Sequence, residues 1–146
     1  MASFIDTNVQ MYAVGGPHEL RTPSIQVLRL AAARPEAFFT DSEVLQEILH
    51  RYFSLRRRAE GRDKMRDFAD LMHGRIEPTF TEDVVRAGDL AMEYAGLSAR
   101  DCVHLAIMER VGCHSVVTAD RGFERVAGMR RLHPRDLSSW RHEFGL

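Results

Sequence analysis

Apolar residues follow two rhythms along this chain: short continuous runs, and longer stretches spaced three and four apart. The runs predict buried strands and the spaced stretches predict helices. Ala2 to Ile5 reads as a first strand. The polar triplet Asp6-Thr7-Asn8 follows it and suits the start of a helix over roughly Val9 to Val14. Gly15-Gly16-Pro17 breaks that helix, and Thr22-Pro23 predicts the next as an N-cap with proline at the first helical position. Ala37 to Thr40 is a second strand, and Asp41 opens a long helix whose apolar stripe includes Val44, Leu45, Ile48, Leu49, Tyr52 and Phe53. A further helix over Arg62 to Met72 is expected after Gly61. Ile76 to Phe80 is a weaker strand because Pro78 cannot donate to a ladder.

Thr81, with Glu82 and Asp83, starts another helix carrying Val84, Val85, Leu90 and Ala91. Ser98 and Asp101 have capping-box spacing, and the helix they open runs to Val111 and stops at Gly112. His114 to Thr118 reads as a buried strand with Asp120 just past its end. Met129 to Leu132 is the last strand, and a helix follows from about Pro134. Strands alternating with helices imply an α/β fold with a parallel sheet. We expect one domain over residues 1–146, its central, mostly parallel sheet of about four to five strands flanked by helices on both faces.

Composition narrows the function. Twenty basic residues face 21 acidic ones, a net charge of −1, which argues against a polycation that coats DNA. The basic set is 19 arginines and Lys64, so any chemistry requiring a lysine must use that one. The longest stretch free of charged residues is Thr7 to His18, 12 residues, short of the ~20 a membrane helix needs. No membrane partner is expected. The two cysteines, Cys102 and Cys113, form neither a disulfide framework nor a zinc ribbon, so a reduced, cytoplasmic setting is expected. The lone lysine also excludes a Walker P-loop, and no Gly-x-Ser-x-Gly elbow is present.

In open parallel sheets, sites form beyond the carboxyl ends of the strands. Asp6 and Asp120 stand at two such ends, Asp101 in the first turn of a helix, and Glu47 in the helix after the second strand. Each has an ordinary use. Asp6 can cap a helix, Glu47 can pair with Arg51, Asp101 can complete the capping box, and Asp120 can hold a turn. Glu43 is a competing acid on the Glu47 helix. Four carboxylates in one cleft repel each other unless a cation is shared. Carboxylate-only ligation suits Mg²⁺ or Mn²⁺, which support in-line phosphodiester displacement.

Four segments together resemble PIN-domain proteins, in particular VapC toxins of type II toxin–antitoxin systems. They are Phe4-Ile5-Asp6-Thr7-Asn8-Val9, Val44-Leu45-Gln46-Glu47-Ile48, Ser98 to Ala106, and Val117-Thr118-Ala119-Asp120-Arg121-Gly122-Phe123. The resemblance spans nearly the whole chain. It implies an endoribonuclease dependent on Mg²⁺ or Mn²⁺, a homodimer inhibited by a VapB-like antitoxin, and RNA ends carrying 5′-phosphate and 3′-hydroxyl. By position, Asp6, Glu47, Asp101 and Asp120 match the catalytic acids. Asp6, Asp101 and Asp120 match metal ligands, and Asn8 and Thr118 match residues that orient them. The departure is Gly122, where many relatives carry a further acid. The segment Arg51 to Arg66 holds seven basic residues and two acids, and Arg51, Arg56 and Arg121 are its and the cleft's candidate RNA contacts. The competing reading is a catalytically silent PIN-like scaffold that binds RNA or a partner. His104, three positions after Asp101 on the same helix, could approach the cleft, but reads as a packed or surface histidine.

Overall fold

The computed structural model describes residues 1–146. In chain order its elements are β1 (Ser3–Ile5), α1 (Thr7–Val14), α2 (Arg21–Ala33), β2 (Phe38–Asp41), α3 (Ser42–Ser54) and α4 (Arg58–Leu71). Then come β3 (Ile76–Glu77), α5 (Thr81–Glu93), α6 (Ala99–Val111), β4 (Ser115–Val117), β5 (Arg130–Leu132) and α7 (Leu137–Glu143). The sheet order is β3-β2-β1-β4-β5, with every neighbouring pair parallel. Phe4 pairs with Phe39 on one side and Val116 on the other. Every residue of β1 and β2 is buried, so helices cover the sheet on both faces. Helices pack in successive pairs, α1 on α2, α3 on α4 and α5 on α6. The expected α/β architecture is present, with five strands.

This topology decides where chemistry can occur. From β1 the chain winds outward through β2 to β3, then crosses back past β1 to β4. β1 and β4 therefore flank the switch point, where neighbouring connections leave in opposite directions and open a crevice at the carboxyl ends.

Several boundaries differ from the predicted ones, for physical reasons. α2 begins at Arg21 with Leu20 as its cap and no side-chain cap bond, so Thr22 and Pro23 lie inside the first turn. α4 begins at Arg58, a turn earlier than expected, and Gly61 lies within it. A Cβ at Gly61 would meet Tyr52 Cβ at 2.5 Å, so this glycine permits close packing of α4 on α3 rather than breaking a helix. β3 is only two residues and ends before Pro78. Val84 and Val85 face solvent, and α5 buries Asp83, Ala87 and Leu90 instead. Lys64 is committed to the fold: its Nζ donates to Val14 O at 2.9 Å and Tyr52 Oη at 3.2 Å and pairs with Glu60.

Candidate active site

Asp6 follows β1 and caps α1, its Oδ1 accepting the Thr7 N–H at 2.8 Å. Its Oδ2 accepts from Thr118 Oγ1 at 2.8 Å and Asn8 Nδ2 at 3.2 Å. Capping and site chemistry are thus one arrangement, because the cap bond fixes the direction of the carboxylate. Thr118, at the end of β4, also accepts from Asn8 Nδ2 at 2.8 Å and from the Asp120 N–H at 3.0 Å. Asn8 Oδ1 closes the network by accepting the Ala119 N–H at 3.1 Å. Asn8 and Thr118 therefore tie the ends of β1 and β4 together around Asp6.

Asp101 lies in the first turn of α6, whose Ser98 cap accepts the Asp101 N–H at 3.1 Å. Asp120 is exposed, and its Oδ1 accepts the Gly122 N–H at 3.1 Å, so the turn reading of Asp120 is also realised. Glu47 forms no ion pair with Arg51. Its Oε1 instead bonds His104 Nε2 at 2.6 Å. Asp6, Glu47, Asp101 and Asp120 all line one cleft of about 380 Å³, together with Thr7 and Arg100. All four predicted acids are brought together. Glu43 does not line this cleft.

Burial pushes the Asp6 carboxyl up to about 6 despite its hydrogen bonds and the neighbouring His104 charge. Burial likewise raises Asp101, helped by the negative charge of Asp120. Carboxylate oxygens are the donors, and the Thr7 hydroxyl at the cleft wall is buried without a partner. Hard, oxygen-seeking dications such as Mg²⁺ and Mn²⁺ match this set.

Two residues to which the sequence reading gave no part in the site contribute here. His104 is fully buried, with Nδ1 2.7 Å from Asp41 Oδ2 and Nε2 on Glu47. Burial disfavours its cation, but the bonds to Asp41 and Glu47, with the charges of Asp41 and Asp6, lift its pKa well above the usual histidine range. Asp41, also fully buried, ends β2 as Asp6 follows β1, and its Oδ1 caps α3 through the Val44 N–H at 2.8 Å. The strand-end rule that selected Asp6 applies equally to Asp41. His104 ring nitrogens lie within 4.8 Å of Asp6 and Asp101 ligand atoms. Both nitrogens are already bonded to carboxylates, so neither offers a lone pair to a metal.

Beyond the acids, a groove of about 640 Å³ continues between α1 and α3, sharing Asn8, Met11, Glu47 and Arg100 with the cleft. Arg51 and Arg57 line it. Arg56 does not: it sits exposed in the α3–α4 turn at a φ of 58°. Arg121 is exposed beside Asp120 and lines neither cavity. At Gly122 an added Cβ would lie 3.8 Å from both Asp101 Oδ2 and Asp120 Oδ1, so a side chain there would project among the acids.

With this geometry in place, residues 3–129 match the PIN domain family. The chain belongs to that family. It is 35% identical over 131 residues to ribonuclease VapC13 of Mycobacterium tuberculosis, covering 88% of this chain and 97% of the relative. It is 37% identical over 120 residues to ribonuclease VapC23 of the same organism, covering 80% and 91% respectively. The PIN fold is also seen in the crystal structure of VapBC2 from Rickettsia felis bound to a DNA fragment of its promoter. That match has a TM-score of 0.70 at 16% identity and covers 91% of this chain and 98% of the other. No helix of this PIN-domain protein is long and apolar enough to cross a membrane.

Proposed function

We propose that this PIN-domain protein is a Mg²⁺- or Mn²⁺-dependent endoribonuclease and the toxin of a toxin–antitoxin pair. The observation that carries the reading is the convergence of Asp6, Glu47, Asp101 and Asp120 on one cleft at the sheet's switch point. Its likeness to proteins named VapC ribonucleases supports RNA as substrate, and its likeness to a VapBC assembly supports a VapB-like antitoxin as partner.

Asp6 and Asp101, with Asp120, would hold the cation. A divalent ion there supplies Lewis-acid stabilisation of charge developing on the phosphodiester. Thr118 and Asn8 keep Asp6 aimed at the cleft through the bonds described above. Glu47 orients the attacking water and takes its proton. Water oxygen bonds to phosphorus as the bond from phosphorus to the 3′ oxygen breaks, and that oxygen takes up a proton. The products carry 5′-phosphate and 3′-hydroxyl. Arg51 in the groove holds flanking phosphates, and the exposed Arg56 and Arg121 add positive charge to attract the RNA backbone. A second copy of the chain completes the assembly as a homodimer, and both work in the cytoplasm.

Purified protein incubated with mixed cellular RNA should cleave it with Mg²⁺ or Mn²⁺ and not with chelator. Asp6→Asn and Asp101→Asn should each abolish cleavage. Cleavage that survives chelator and both substitutions overturns the mechanism. RNA binding without cleavage under any cation would establish the silent scaffold instead.

A further inference from the structure

The Asp41–His104–Glu47 chain runs from a fully buried strand end to the wall of the acid cleft and is not explained by metal ligation. It crosses three elements: Asp41 ends β2 and caps α3, His104 comes from α6, and Glu47 from the second turn of α3. Every link is short, at 2.8 Å from the Val44 N–H to Asp41, 2.7 Å from Asp41 to His104, and 2.6 Å from His104 to Glu47. Asp41 and His104 are both 0% exposed, so water does not compete for these bonds. Both carboxylates accept, so both ring nitrogens must donate, and the ring is fixed in one orientation. The Phe4 ring packs against His104 with centroids 5.1 Å apart, which further restricts rotation. Glu47 is therefore left with Oε2 as its one oxygen free of protein hydrogen bonds.

We propose that His104 is a positioning residue: donating from both ring nitrogens, it anchors Glu47 Oε1 to Asp41 and presents Glu47 to the cleft through a single oxygen. The role rests on the nuclease reading above and adds to it a residue outside the four acids. A glutamate with two free oxygens can swing to chelate the cation. Held by one oxygen, it keeps the other available to the attacking water. Outer-shell groups that orient the ligands of a metal site are typically worth about 10–100-fold in metal affinity or activity, and an effect of that order is expected where His104 orients Glu47.

The first test needs no substitution. In ¹⁵N-histidine-labelled protein, one imidazole should show two slowly exchanging ring N–H protons at neutral pH, and both should persist when Mg²⁺ is added to saturation. Disappearance of the Nε2 proton on Mg²⁺ addition means Glu47 leaves His104, and overturns the proposal. The second test is a double-mutant cycle on labelled mixed cellular RNA, with initial rates measured against RNA concentration. His104→Gln should lower kcat about 10–100-fold with KM unchanged. In a Glu47→Gln background the same substitution should cost little more, because the groups act as a unit. Full additivity overturns the positioning role while leaving the nuclease reading intact. Failure of wild-type protein to cleave any RNA overturns the nuclease reading, and the positioning role falls with it. If His104→Gln does not fold, the wild-type spectrum still decides.

Discussion

Asp6 shows how one residue can cap a helix and line the acidic cleft together. It caps α1, accepts three hydrogen bonds and is 5% exposed, yet its pKa stands at about 6 against an ordinary 3.8. An acid whose folded pKa is raised binds its proton more tightly when folded. Stability from this group is therefore complete below about pH 4 and lost as pH rises through 6. That displacement is worth about 3 kcal/mol. Urea denaturation of cation-free protein should show stability falling by roughly that amount between pH 4 and 7 from this group. Asp6→Asn should flatten that portion of the profile, and Mg²⁺ should restore the wild-type stability near pH 7. His104 has a raised pKa too, but as a base it contributes stability that is complete below pH 6.5 and fades only as pH climbs through its higher folded value. At this scale the sequence revealed the acids because each sits at a strand end or in a helix's first turns. It did not reveal His104, because nothing at position 104 says which side chains from α3 and β2 will meet it.

Between elements, the fit of α4 on α3 depends on Gly61. Sequence habit reads a glycine before a charged segment as a helix boundary, yet here the chain is helical on both sides of it. An added Cβ would stand 2.5 Å from Tyr52 Cβ and 3.2 Å from its Cγ. Gly61→Ala gains about 1 kcal/mol of helix propensity but forces α3 and α4 apart, a cost of about 1–3 kcal/mol. We expect a net loss of stability in thermal or urea unfolding, with cleavage reduced because α3 carries Glu47 and Arg51. An increase in melting temperature would show that the helices separate freely. β3 teaches the opposite lesson. The expected strand ran to Phe80, but Pro78 cannot donate to the ladder and β3 stops at Glu77, so a local rule that only weakened the strand in fact ended it.

Across the whole molecule, one apolar face has no partner within the chain. On α5, Val84, Val85 and Met92 are 54%, 68% and 87% exposed, and Gly88 between them faces open space. Their spacing places them on a single stripe. If this stripe joins two copies, Val85→Glu and Met92→Glu should each convert dimer to monomer in sedimentation velocity. The intrinsic stability of the monomer should change by no more than ~0.5 kcal/mol, since neither side chain is in the core. A wild-type monomer at tens of micromolar would exclude this face as a self-interface. The sequence marked these valines as apolar at helical spacing but not which way α5 would turn, because Ala87 and Leu90 offered an equally regular stripe and packing on α6 chose theirs. By itself, then, the sequence determined the alternation of strands and helices, the parallel sheet and the placement of four acids near strand ends and helix starts, all of which follow from local periodicity, capping and strand-end position. Tertiary structure alone decided that Glu47 bonds His104 rather than Arg51, that Gly61 is a packing contact, and that Arg51 rather than Arg56 lines the groove. Those outcomes depend on side chains far apart in sequence meeting at one place, and no local pattern encodes such distances.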